Sequence, residues 1–60
     1  MMKFEYETMV VSNYTTDDLH RALNKMGDRG YELVTVEMAK NNYGIMCMYL
    51  FFKRDKKEND

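Results

Sequence analysis

Eight consecutive residues, Ile45 to Phe52 (IMCMYLFF), are apolar or aromatic in a chain of only sixty. The run is too short to cross a bilayer, which takes about 20 apolar residues. Its β-branched and aromatic content, and the turn signal NNYG just before it, make it a strand. Side chains alternate along a strand. Ile45, Cys47, Tyr49 and Phe51 therefore share one face, and Met46, Met48, Leu50 and Phe52 the other. Neither face is polar. A strand apolar on both faces belongs in the middle of a sheet with something packed above and below it. The rest of the chain supplies one helix, which covers one side. The sequence therefore predicts that a second copy covers the other, since soluble monomers rarely expose a large apolar patch. The alternative cover is the polar C-terminal tail folded back.

Sixty residues make at most one domain, and a chain of this size is marginal without a staple or a partner. Cys47 is the only cysteine and His20 the only histidine. This leaves no intrachain disulfide and no four-ligand zinc site. Oligomerisation is the remaining aid. The composition, 45% hydrophobic and 32% charged, is that of a folded protein. A net charge of −1 argues against a duplex nucleic-acid partner. The absence of an apolar leader, together with the free thiol, points to a cytoplasmic protein with no membrane partner.

The remaining elements follow from periodicity. KFEYETMVV (3–11) alternates as a first strand, with Phe4, Tyr6, Thr8 and Val10 on one face. The face bearing Glu5, Glu7, Met9 and Val11 is charged early and apolar late. Thr15 is a helix N-cap with Asp18 as capping-box partner, and Asp17 and Asp18 suit the positive end of the helix dipole. Leu19, Ala22, Leu23 and Met26 form one helical stripe. Gly30 suits a left-handed C-cap, while Gly27 either weakens the last turn or admits a close approach of the sheet. YELVTVEMAK (31–40) is the second strand, with Val34, Val36 and Met38 expected toward the helix and Tyr31 and Leu33 toward a neighbouring subunit. The expected fold is α+β, a single β-α-β-β domain over residues 1–54. One helix packs on a three-stranded antiparallel sheet of order 2-3-1, and residues 55–60 form a charged, flexible tail.

KFEY near the start, LNKMGDRGYELVTV in the middle and YLFFKR near the end resemble a family of very small bacterial and phage proteins, domain of unknown function 4177. Leu23, Asn24, Gly27, Gly30, Glu32, Leu33 and Val34 match the family's middle motif, and Phe4 and Tyr31 stand where tryptophans are usual. The resemblance runs from about Lys3 to Arg54. It implies the β-α-β-β fold and no particular activity.

No nucleophile, metal or acid–base constellation stands out, so the protein is expected to be no enzyme and to need no cofactor. His20 beside the apolar stripe reads as solvated, and Cys47 as a small buried hydrophobe. Methionines 9, 26, 38, 46 and 48 suit either a core or an adaptable interface. The eight aromatics suit a core better than an RNA platform. The first functional expectation is a homo-oligomer that sequesters a small anionic ligand, such as a signalling nucleotide, at subunit interfaces. Its ligand set is Arg21, Arg29, Tyr31, Lys40, Asn42 and Tyr43, and its subunit contacts are Tyr6, Leu33, Met46, Met48, Leu50 and Phe52. The second is a protein-interaction module, an inhibitor or adaptor docking through its apolar sheet or edge strand.

Overall fold

Thr15 starts the helix by the mechanism its sequence implies. In the computed structural model, which describes residues 3–56, the Thr15 side chain accepts from the Asp18 N–H at 3.2 Å and the Asp18 carboxylate accepts from the Thr15 N–H at 3.0 Å. The helix, α1 (Thr16–Asp28), ends in a Schellman motif. The Tyr31 N–H reaches back to the Met26 carbonyl at 3.0 Å and the Gly30 N–H to the Gly27 carbonyl at 2.9 Å, with Gly30 left-handed at φ 86°. A Cβ placed on Gly27 would meet nothing within 4 Å, so this glycine admits no close approach of the sheet.

Strands β1 (Phe4–Ser12), β2 (Glu32–Lys40) and β3 (Met46–Asp55) form one antiparallel sheet in the order β1-β3-β2. The class is α+β, one helix on a three-stranded sheet, and the doubly apolar strand is central. The hairpin between β2 and β3 is held by Asn41. Its carboxamide oxygen accepts from the N–H groups of Tyr43 (2.8 Å) and Ile45 (3.1 Å), and Gly44 takes φ 78°. This is a turn followed by a left-handed residue, a common short hairpin connection. β3 runs on through Arg54 to Asp55, and the Lys56 N–H bonds the Lys3 carbonyl at 2.8 Å. Asp55 therefore belongs to the sheet and not to a tail. Positions 57–60 of the expected tail lie outside the described residues.

The core is small. Met26 from α1 and Leu50 and Phe52 from β3 are buried together, with Met9, Val11, Ala22, Leu23, Tyr31 and Met48 packed around them. This settles which face of β3 meets the helix and corrects an expectation. Met48, Leu50 and Phe52 all lie on the helix side; Leu50 and Phe52 are buried there and have no surface left to offer a second copy. The two faces of β3 are equally apolar in sequence, so alternation alone did not distinguish them. Met46, at the start of the strand, remains exposed.

Leu33 is corrected by a bulge. Leu33 is opposite Phe52 and Thr35 is opposite Phe51, which leaves Val34 as an extra residue in β2. Without the bulge, Leu33 would lie on the face away from Val36. With it, Leu33, Val36 and Met38 are opposite Phe52, Leu50 and Met48, all on the helix side of the sheet. Tyr31 also turns to that side, its ring edge-on to Phe52 at 6.5 Å between centroids.

The other side of the sheet carries Phe4, Tyr6, Thr8 and Val10 from β1, opposite Asp55, Lys53, Phe51 and Tyr49. Tyr6 is 68% exposed here. The Lys53 ammonium lies 4.6 Å over the Phe4 ring. Cys47, between Ser12 and Ala39, is buried, its sulfur 3.3 Å from the Ser12 hydroxyl.

Candidate functional site

Two surface features stand out. The first is a cleft of about 470 Å³ where the end of α1 meets the outer ends of β1 and β3, lined by Glu5, Arg29, Gly30, Arg54 and Asp55. The pairing of β1 with β3 sets it up by putting Glu5 directly opposite Arg54. The Arg54 Nε–H donates to the Glu5 carboxylate, and Nη1 donates to the Arg29 carbonyl at 2.5 Å. Its guanidinium carbon lies 4.4 Å from the Tyr31 ring centroid. The hydrogen bond that Arg54 donates to Glu5 is the main reason the Arg54 pKa rises above its ordinary value.

Arg54 thus closes the helix end. It binds one of the carbonyls that α1 leaves without an intrahelical partner, where a cation also complements the helix dipole. It ties that end to β1 through Glu5 and stacks on the first residue after the cap. Two of its five N–H donors are committed, and the cleft lining pairs two cations, Arg29 and Arg54, with two anions, Glu5 and Asp55. A pocket of balanced charge, whose central guanidinium already pairs with a carboxylate, offers a free phosphate little net attraction.

The expected ligand residues separate within the chain. Arg29 lines the cleft and Tyr31 lies beneath Arg54. Lys40, Asn42 and Tyr43 lie at the far end of β2, nine residues away, about 30 Å at a strand's rise. Arg21 sits on the exposed side of α1, 3.8 Å from Asp18. One chain does not bring the six together; a shared site would need residues from two copies. Sequence reading missed Glu5, Gly30 and Asp55 as cleft residues and took Arg54 as the edge of the domain. Glu5 and Arg54 are 49 positions apart, and only the register joins them. His20 is exposed on α1. Among the described residues no group of three or more His, Cys, Asp or Glu is arranged to hold a metal ion, and no helix is long and apolar enough to cross a membrane.

The second feature is β2 itself. All nine of its residues are exposed, including Val34 (50%), Val36 (38%) and Met38 (56%). The core draws Met9 and Val11 from β1 and Met48, Leu50 and Phe52 from β3, and nothing from β2. The helix shelters one flank of the sheet and leaves the β2 flank bare. β2 also has β3 on one side only, so its other side is an open edge.

Compared with models of protein families, with curated proteins and with solved structures, the chain finds no match in any of the three.

Proposed function

We propose that the protein is a non-enzymatic binding module that works by burying its bare sheet flank against another protein chain. One observation carries this reading: a nine-residue edge strand, exposed throughout, with Leu33, Val34, Val36 and Met38 each more than a third exposed. Such a strand offers both apolar side chains and unpaired backbone groups. Strand addition and apolar docking use those two features. The reading as a reservoir for a signalling nucleotide has less support, because its six candidate residues fall into separate regions and Arg54 is engaged by Glu5 and Arg29. The likeness to domain of unknown function 4177 belongs to the same proposal. It agrees with a β-α-β-β succession and assigns no activity.

A photo-crosslinking amino acid at Val34, with a matched control at Lys25 on the exposed face of α1, tests the reading in cells producing the protein. A protein adduct, self or foreign, is expected from Val34 and not from Lys25. The reading fails if Val34 gives no protein adduct while the gently purified protein carries a small anion that is lost in Arg29→Ala.

A further inference from the structure

Natural edge strands are usually blunted by proline, by lysine, by inward-pointing charge or by a β-bulge. From Leu33 to Met38, β2 has no proline and a single charge, Glu37, and its one bulge, at Val34, lies near the start of that segment. We infer that this edge takes β2 of a second copy, antiparallel, about a two-fold axis at Val36; the inference names the partner for the binding-module reading and rests on it.

Symmetry and charge select the register. A two-fold axis relating antiparallel neighbours stands perpendicular to the sheet, so like faces meet. Each residue is then opposed by one an even number of positions away. The axis can fall at Thr35, Val36, Glu37 or Met38. At Glu37 it sets Glu37 against the partner's Glu37, and like charges directly opposite are destabilising. At Met38 it sets Val36 against the partner's Lys40 and leaves Leu33 and Val34 unpaired. At Thr35 it runs into the bulge at Val34 on both sides and sets Glu37 toward the partner's Leu33. At Val36 the charge conflicts are absent, and the bulge at Val34 falls two positions from the axis instead of beside it. Val36 meets the partner's Val36, Thr35 meets the partner's Glu37, and Val34 meets the partner's Met38. On the helix side, Leu33, Val36 and Met38 of both copies then form one continuous apolar strip between the two helices.

The size of the core points the same way. The buried hydrophobic residues among those described are Met26, Cys47, Leu50 and Phe52. A core this small is the situation in which assembly supplies what the single chain lacks. The self-complementary register provides it without a foreign sequence.

Sedimentation equilibrium on the full chain tests the register through Thr35, which is exposed and outside the core. Thr35→Glu places the new glutamate of each copy opposite the other copy's Glu37 and should weaken dimerisation about 2- to 30-fold, an effect that shrinks in high salt. Thr35→Lys should tighten it over a similar range, and Thr35→Glu with Glu37→Lys should restore it. Circular dichroism checks that each variant folds. A dimer whose affinity ignores all three variants overturns the β2 pairing and leaves the binding-module reading standing on a different surface. A wild-type chain that stays monomeric at every concentration overturns the inference; adducts of foreign proteins from Val34 would then still support the module. Loss of both the dimer and the Val34 adducts overturns both.

Discussion

Replacing each of two glycines three residues apart with alanine should change stability in opposite directions. Gly27 lies inside α1 with open space where a Cβ would go. Glycine there only costs backbone entropy, so Gly27→Ala should stabilise by about 0.5–1 kcal/mol, the lower part of that range applying near a helix end. Gly30 has the same room, since an added Cβ would meet the Arg54 Cδ at an ordinary 4.0 Å. Its φ of 86° decides the sign. Forcing an L residue into the left-handed region costs about 1–2 kcal/mol, and the reduced freedom of the unfolded chain returns only part of it. Gly30→Ala should therefore destabilise by about 1 kcal/mol. For a domain this small, 1 kcal/mol moves the melting temperature by about 4–8 °C. Urea unfolding followed by circular dichroism, at one fixed protein concentration, measures both. A gain in stability from Gly30→Ala would refute the Schellman cap. A loss from Gly27→Ala would mean that this open side of the helix is occupied in the folded protein.

Met26→Ala should cost about 2–5 kcal/mol and Met26→Leu less than about 1.5, read by the same urea titration, because Met26 is the one fully buried residue of α1 and truncation leaves a cavity beneath the helix. The larger loss is a substantial part of the roughly 3–9 kcal/mol expected for sixty residues. The helix cap should appear in the acid limb of stability. The hydrogen bond from the Thr15 N–H, followed by that from its side chain to the carboxylate, lowers the Asp18 pKa below its ordinary value. A carboxyl lowered in the folded state contributes stability above its unfolded pKa, and that contribution is lost as pH falls through the folded one. Asp18→Asn should flatten this limb when unfolding is measured from neutral pH into acid, and Thr15→Ala should flatten it while also costing about 1 kcal/mol at neutral pH.

What could be read from the sequence was local. The Thr15 cap and the left-handed Gly30 depend on residues within one turn of the helix, and both are where spacing put them. The central position of β3 was legible because an eight-residue apolar run has few other places to go. The face of β3 under the helix was not legible, because both faces are apolar. Nor was the bulge at Val34, since a period of two carries no sign of an extra residue. One clue was present. The charged-then-apolar face of β1 is the helix side, where Met9 and Val11 reach the core. Beyond them Glu5 turns instead to Arg54, a pairing that a local reading could not find across 49 positions.

The bare flank follows from counting elements. An α-helix is about 10–12 Å across, and three strands spaced about 4.8 Å apart make a sheet about 14 Å wide, so one helix seats well over two strands and poorly over three. The strand side chains buried with Met26 of α1 come from β1 and β3, while α1 approaches β2 without burying any of its residues. β2 must then keep Val36 and Met38 in water even though they are opposite Leu50 and Met48 of the buried strand. A second helix or a wider sheet would remove the defect, and sixty residues supply neither. An added strand from another chain repairs both sides of the problem at once, since it satisfies the open edge of β2 and extends the apolar strip over which a second helix can lie. The same reasoning limits the remedy. Covering only the Tyr6 face of the sheet would leave Val36 and Met38 as exposed as before, so the partner that matters is the one that meets β2.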